Sequence, residues 1–286
     1  MRVIVLGGNG QLGTDLVEVL ADFDVAPLCH RELDICDFPR TRGVLSEKKP
    51  EIVINAVAFN RVDDCEEEIE KAFWVNAYAV RNLAQICADL QCTLVHISTD
   101  YVFGGDKTTP YIEEDNPKPL NVNGVSKLAG EYFVNTICTK RFVVRTSGLY
   151  GVAGSSSKGG NFVKTMIRLA QEGKRIRVVN DQVLAPTYTR DLANQIRELL
   201  LARAYGLYHV TNSGQCSWFE FASKLFEIMS IMPDFGPVST AEYGAAARRP
   251  AWSVLAQDKI RGIGLKSLRP WPEALRAYLR QEGYLA

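Results

Sequence analysis

The sequence predicts an α/β protein built on a doubly wound parallel sheet, followed by a smaller mixed α/β region. Three observations carry that prediction. Apolar runs of strand length alternate with segments of helical spacing through the first half of the chain, the pattern of βαβ units. The run "EIVINAVA" is apolar almost without interruption, as a strand covered on both faces must be. The turn "VLGGNGQLG" joins the first apolar run to the first helical segment through closely spaced glycines.

In chain order, "RVIVLGG" is the first strand and "QLGTDLVEVLADF" the first helix, with Leu12, Leu16, Val19 and Leu20 recurring on one face. "DVAPLC" is the second strand, and "FPRTRGVLSEKK" a helix with Pro39 in its first turn. After "EIVINAVA" a long helical region over 66–90 leads into the strand "CTLVHIS". A polar, proline-bearing loop over 99–122 precedes a helix over about 123–139, and "RFVVRTS" adds another strand. Past Gly151 the pattern loosens. "GVAGSSSKGGN" reads as a mobile loop. Helices are expected over 162–172, 191–204, 217–229 and 272–281, with short strands at "RIRVVN" and "GLYHVT".

The chain has 286 residues, 47% apolar and 23% charged, which describes an ordinary globular protein. Lys plus Arg equals Asp plus Glu at 33 each, so no global field draws in nucleic acid or an acidic membrane. No apolar stretch approaches the ~20 residues of a membrane span. "MRVIVLGG" enters a strand directly, without the pattern of a secretory leader. The seven cysteines (Cys29, Cys36, Cys65, Cys87, Cys92, Cys138, Cys216) lack metal-ligand spacing and are expected as reduced thiols in the cytoplasm. His30, His96 and His209 are too scattered to suggest a zinc site, so no metal is expected.

Gly7, Gly10 and Gly13, or equally Gly8, Gly10 and Gly13, open the first βα unit. Glycines there allow a tight turn, and the free N–H groups of the following helix can hold a pyrophosphate. A turn kept only for packing is the plain alternative. Past the second strand the chain reads "LCHRELD", where His30 and Arg31 could hold a 2′-phosphate and favour NADP(H). Glu32 and Asp34 leave NAD(H) open, and Arg31 could equally be a solvated loop charge. "HISTDYVFGG" ends a strand with Ser98, Thr99 and Asp100, where ligands of open parallel sheets bind, although such hydroxyls also cap local backbone.

"GGNGQLG", "NAVAFNRVDDCE", "STDYVFGG", "PLNVNGVSKLAGE", "VVRTSGLYG", "NFVKTMIRLA", "VVNDQVLAPTYTRDLA", "GLYHVTNSGQCSWFEFA" and "RRPAWSVL" stand in the order found in dTDP-4-dehydrorhamnose reductases. Over nearly its whole length the chain resembles this family of the extended short-chain dehydrogenase/reductases, which have a Rossmann-type fold. The resemblance implies NADPH-dependent reduction of the 4-keto group of dTDP-6-deoxy-L-lyxo-4-hexulose to dTDP-L-rhamnose, for cell-surface polysaccharide. It implies a dinucleotide-binding domain over 1–150 and a mostly substrate-binding region over 151–286 that interleaves with it. Gly7, Gly10, Gln11, Leu12, Arg31, Asp34, Ala56, Val57, Ala58, Asn76 and Lys127 would face the cofactor. Tyr101, Val102, Asn161, Phe162, Gln182 and Arg249 would face the dTDP-sugar, and a homodimer is left open. Phe162 could equally be core, and Arg248 and Arg249 surface salt bridges.

Two departures stand out. Relatives group a threonine, a tyrosine and a lysine four residues after it; Thr99 and Lys127 match, but the tyrosine position is Asn123. A carboxamide is no usable acid, and a positioned acid is worth ~10²–10⁴ in rate. The residue is a substitution in a working reductase, or a proton travels by water through Thr99, Lys127 or Tyr101, or turnover is lost and binding kept. The last account matches a non-catalytic regulator such as the regulatory β subunit of methionine adenosyltransferase. A reductase of another nucleotide-linked 4-keto sugar is the other alternative, whereas an epimerase or dehydratase gains nothing from Asn123. The second departure is Gly148 in place of a tryptophan near the sugar, expected to enlarge the pocket or open it to water.

Overall fold

The computed structural model describes residues 1–153 and 160–285, so most of the glycine–serine stretch expected to be a mobile loop lies outside the described residues. The first strands are β1 (Arg2–Leu6), β2 (Asp24–Leu28) and β3 (Ile52–Asn55). They are followed by β4 (Thr93–Thr99) and β5 (Arg141–Thr146). With Gly206–His209 they form a six-stranded sheet, ordered Gly206–His209, β5, β4, β3, β1, β2, in which every neighbouring pair is parallel. The order of strands reverses between β1 and β3, so the crevice beyond their C-terminal ends is where this architecture takes ligands.

Helices cover both faces. On one, Leu12 and Leu16 of α1 (Gln11–Val19) pack with Leu192, Ile196 and Leu199 of the helix Thr189–Ala202 against Val3, Val5 and Ile54. On the other, Leu45 of α2 (Phe38–Lys48), Val80 and Leu83 of Ala79–Asp89, and Val134 of Val122–Ile137 cover Ile4, Val53 and Leu94. Burial on both sides is why β1 and β3 read as unbroken apolar runs. Asp37 caps α2 through the Arg40 N–H at 3.1 Å, with Pro39 in the first turn where its missing N–H costs nothing.

The helical region expected over 66–90 is not one helix. It runs as Val62–Glu67, Ile69–Phe73, a π-helical turn Trp74–Tyr78 and Ala79–Asp89. Glu68, at φ −106° and ψ 53°, leaves helical geometry and breaks the first two pieces. No glycine or proline marks either interruption. The wide π turn sets Asn76 inward, and its amide is bonded to Phe59 and Ser126.

The four helices expected in the second half form, as Phe162–Gln171, Thr189–Ala202, Trp218–Met229 and Trp271–Gln281. A separate aromatic core, including Tyr150, Tyr188, Phe221 and Tyr278, joins three of them. "RIRVVN" contributes Ile176–Val179, paired with Phe235–Val238, whereas "GLYHVT" contributes the edge strand of the main sheet. Among the described residues no helix is long and apolar enough to cross a membrane.

Candidate active site

The glycine turn sits at the strand-order reversal. Gly7 has φ +78° and donates its N–H to Leu28 O at 2.8 Å, tying the turn to the end of β2. A Cβ on Gly13 would come within 2.0 Å of Gly7 O, so only glycine lets α1 start this close to the turn. A Cβ on Gly8 would strike Pro27 Cβ at 2.5 Å, so both glycine registers belong to one turn. Gly10 caps α1 without a side-chain bond, which leaves the first-turn N–H groups directed at the crevice. Leu12 is buried in the core and offers only its backbone there. Gln11 Nε2 donates to Leu149 O at 3.0 Å, while its Oε1 is buried and unpartnered among the described residues. Ala56 and Val57, past β3, run within 3.4 Å of where a Gly7 side chain would begin, and half-buried Ala58 follows them. A glycine-only cradle at a helix N-terminus fits a pyrophosphate.

Past β2 the two acids are engaged locally. Glu32 accepts the Cys29 N–H at 2.8 Å and Asp34 the Cys36 N–H at 2.9 Å, while Arg31 is exposed. That arrangement suits a phosphate on the ribose better than a free hydroxyl seeking a carboxylate.

Thr99 ends β4, beside Thr146 of β5, whose buried hydroxyl is without a partner among the described residues. Thr99 Oγ1 accepts the Tyr101 N–H and donates to Asp100, each at 3.1 Å. Asp100 is buried, which raises its pKa, and it also accepts from Ser147 at 2.7 Å. Lys127 comes from the helix Val122–Ile137 and is 4% exposed. Its ammonium donates to Ile97 O at 2.5 Å, two residues before Thr99 on the same strand. Asn123 points elsewhere: its amide donates to Phe59 O at 3.2 Å and lies 3.7 Å from Cys65 Sγ. Asn76 donates to the same carbonyl at 2.9 Å, so the two amides together latch the segment after β3 to the Lys127 helix.

Behind Lys127 lies a buried polar layer. Glu131 faces Arg145 in a paired bond with contacts of 2.7 to 3.1 Å, both side chains at most 4% exposed, and Ser98 donates to Glu131 at 2.5 Å. Asn55 Oδ1 accepts the Val57 N–H, which turns its Nδ2 toward His96 Nδ1 at 3.3 Å. A neutral imidazole accepting at Nδ1 carries its proton on Nε2, and that atom faces Lys127 Nζ at 3.5 Å. Burial and the lysine charge hold the His96 pKa well below its usual value. The imidazole N–H opposes an ammonium and tolerates an amine. Burial, only partly offset by Glu131, pushes the Lys127 pKa down to about 8.

On the sugar side several expectations change. Val102 is 0% exposed, packed with Phe103, Tyr111 and Leu255, because the short 3₁₀ turn Asp100–Val102 aims it inward; its side chain cannot lie along a ligand. Asn76, expected at the cofactor, is 1% exposed with both ends of its amide bonded. Asn161 caps the helix Phe162–Gln171 through Lys164 N at 3.0 Å and donates to Gly151 O at 2.8 Å, so its side chain serves the fold. Gln182 is tied to Thr240 at 3.0 Å, and Phe162 packs on Trp218 at 4.6 Å between ring centres. Arg249 grips Asp63 with bonds of 2.7 and 3.0 Å and touches half-buried Tyr101. Gly148 does not open the pocket. It has φ +54°, and a Cβ there would lie 2.7 Å from Leu184 Cδ1 and 3.5 Å from the Trp218 ring, so neighbours already fill the space.

Sequence reading missed His96 and Glu131. A histidine inside the apolar run "TLVHIS" was the available signal for the first, and the four-residue spacing from Lys127 for the second. That spacing would have misled, because Glu131 pairs with Arg145.

The family model described as RmlD substrate binding domain matches residues 1–283. The crystal structure of dTDP-4-dehydrorhamnose reductase from Bacillus anthracis, in complex with NADP, is 43% identical, covering 98% of this chain and 99% of its own, with a TM-score of 0.94. The spore coat polysaccharide biosynthesis protein SpsK of Bacillus subtilis is 40% identical over 98% of this chain and 97% of its own. A probable dTDP-4,6-dihydroxy-2-methyloxan-3-one 4-ketoreductase of Streptomyces antibioticus is also 40% identical, over 96% and 94%.

Proposed function

The chain belongs to the dTDP-4-dehydrorhamnose reductase family, and from that premise we propose that it reduces the 4-keto group of dTDP-6-deoxy-L-lyxo-4-hexulose to give dTDP-L-rhamnose. The observation that carries this reading is the glycine cradle at the strand-order reversal, with Thr99 at the tip of β4, one strand beyond β3, and the buried amine of Lys127 bonded to Ile97 O of that same strand. Bound there, NADPH supplies the hydride. The turn Gly7–Gly10 and the N–H groups of Gln11 and Leu12 would hold its pyrophosphate, and Arg31 its 2′-phosphate.

The chain's own residues then meet the charge that develops on the sugar oxygen. Thr99 offers a hydroxyl oriented by Asp100 and by the Tyr101 N–H. Asn123 has no proton to give, and its amide is committed to Phe59 O. Tyr101 is a poor donor, since burial raises its pKa. Lys127 is the group whose acidity suits the task, because a buried lysine near pKa 8 can give up a proton close to neutral pH. Lys127 therefore supplies the proton, through Thr99 or a water. Arg249, braced by Asp63, stands near Tyr101 as the guanidinium for the diphosphate. Seven free thiols match a reducing cytoplasm. A homodimer remains part of the reading.

A second reading, a dinucleotide-binding regulatory subunit, is favoured by the same Asn123 latch. NADPH oxidation with the dTDP-hexulose decides between them. Turnover supports the reductase; NADPH binding without oxidation supports the regulator. Asn123→Tyr should raise turnover at least about tenfold, within the range of positioned acid catalysis. An unchanged rate would mean that the phenol adds nothing to the proton supplied by Lys127.

A further inference from the structure

The helix Ala79–Asp89 ends in a Schellman motif. Gln91 takes φ +56°, its N–H bonds Ala88 O at 3.1 Å, and the Cys92 N–H bonds Cys87 O at 3.0 Å. This motif brings the side chains of its third-last helical residue and its second residue beyond the cap into contact, usually an apolar pair. Here the pair is Cys87 and Cys92, and the two thiols interact with each other. A cavity of about 250 Å³ opens over them, with Cys138, Gln91 and Lys140 in its wall. Cys92, itself 5% exposed, lines that opening beside a cation and a second thiol, while Cys87 is fully buried behind it. Cys92 begins the approach to β4 at the end opposite Thr99, a seven-residue strand away, so it is no part of the reductase site.

We propose that Cys87 and Cys92 are a redox-active dithiol whose co-reactant is a hydroperoxide. The Cys92 thiolate attacks the terminal peroxide oxygen, the O–O bond breaks, and hydroxide or alkoxide leaves, giving a sulfenic acid at Cys92. Cys87 sulfur then attacks the Cys92 sulfur, the S–O bond breaks, an S–S bond forms, and water departs with the Cys87 proton. Two thiols lose two electrons and one hydroperoxide gains them. The assignment of roles agrees with the surroundings. The interaction with the Cys87 thiol and the charge of Lys140 lower the Cys92 pKa, while burial raises that of Cys138 to about 11 and that of Cys36 to about 12.

The test uses the full chain with stoichiometric hydrogen peroxide, followed by iodoacetamide, trypsin and mass mapping. The peptide over 82–107 carries Cys87 and Cys92 and no other cysteine. It should lose two hydrogens and take up no alkyl group, roughly tenfold faster than oxidation at Cys36 or Cys138, as expected for the more ionised thiol. Cys87→Ser should stop at a sulfenic acid on Cys92 that dimedone captures, and Cys138→Ser should leave the disulfide unchanged. The wild-type map alone decides the matter if a variant fails to fold. A disulfide involving Cys138, a Cys92 that alkylates fully after the peroxide is consumed, or equal oxidation of all seven cysteines would each overturn the proposal.

Discussion

Replacing Lys127 with methionine should make the protein more stable at neutral pH while abolishing turnover. The magnitude follows from the lysine's surroundings. Its pKa falls from 10.5 to about 8 on folding, and each pH unit corresponds to about 1.4 kcal/mol, so carrying the charge in the fold costs about 3 kcal/mol. Methionine forfeits the bond to Ile97 O, worth about 1–1.5 kcal/mol, leaving a net gain of about 1.5–2 kcal/mol at pH 7. The pH dependence has a definite sign. Below pH 8 both folded and unfolded chains hold the proton, and the cost is present in full. Between about pH 8 and 10.5 the folded chain has released it and the unfolded chain has not, so wild-type stability rises relative to the variant through that window. The two proteins reach equal stability between roughly pH 9 and 9.5, and by pH 10.5 the order has inverted, because the neutral amine keeps its bond and carries no desolvated charge. Urea unfolding of both proteins at pH 7, 9 and 10.5 measures this difference, in which other titrating groups cancel. A variant less stable than wild type by the same amount at every pH would refute the reasoning and, with it, the acidity assigned to Lys127.

Gly13→Ala has nowhere to place its methyl group, 2.0 Å from Gly7 O, and should weaken NADPH binding at least about tenfold in a fluorescence titration, with about 1–3 kcal/mol of strain in the apoprotein. Arg145→Met strands the buried Glu131 carboxylate and should cost about 3–5 kcal/mol in urea unfolding; adding Glu131→Leu should restore most of it. Gly148→Ala meets both a positive φ and Leu184, so a fall in stability of about 1–3 kcal/mol is expected by thermal melting, whereas an open pocket there would leave the midpoint unchanged.

The strands, the flanking helices and the glycine turn were legible because each depends on neighbours in sequence. Val3 to Leu6 and Ile52 to Ile54 are apolar without a break because both faces of their sheet are covered, and that pattern is present before the chain folds. Gly7 and Gly13 announce a turn no other residue could make. Thr99 could be placed at a strand tip for the same reason, whereas Asn123 and Lys127 were grouped with it only by the resemblance to the reductase family. What each side chain touches was decided only by the fold. Asn123 meets a carbonyl 64 residues away, Glu131 chooses Arg145 over the lysine one helical turn from it, and Leu184 and Trp218 fill the space that Gly148 leaves. The acidity of Lys127 belongs to this second class. Local sequence sets which backbone shapes are cheap, but desolvation and pairing are properties of the interior, and an interior exists only after distant segments have packed together.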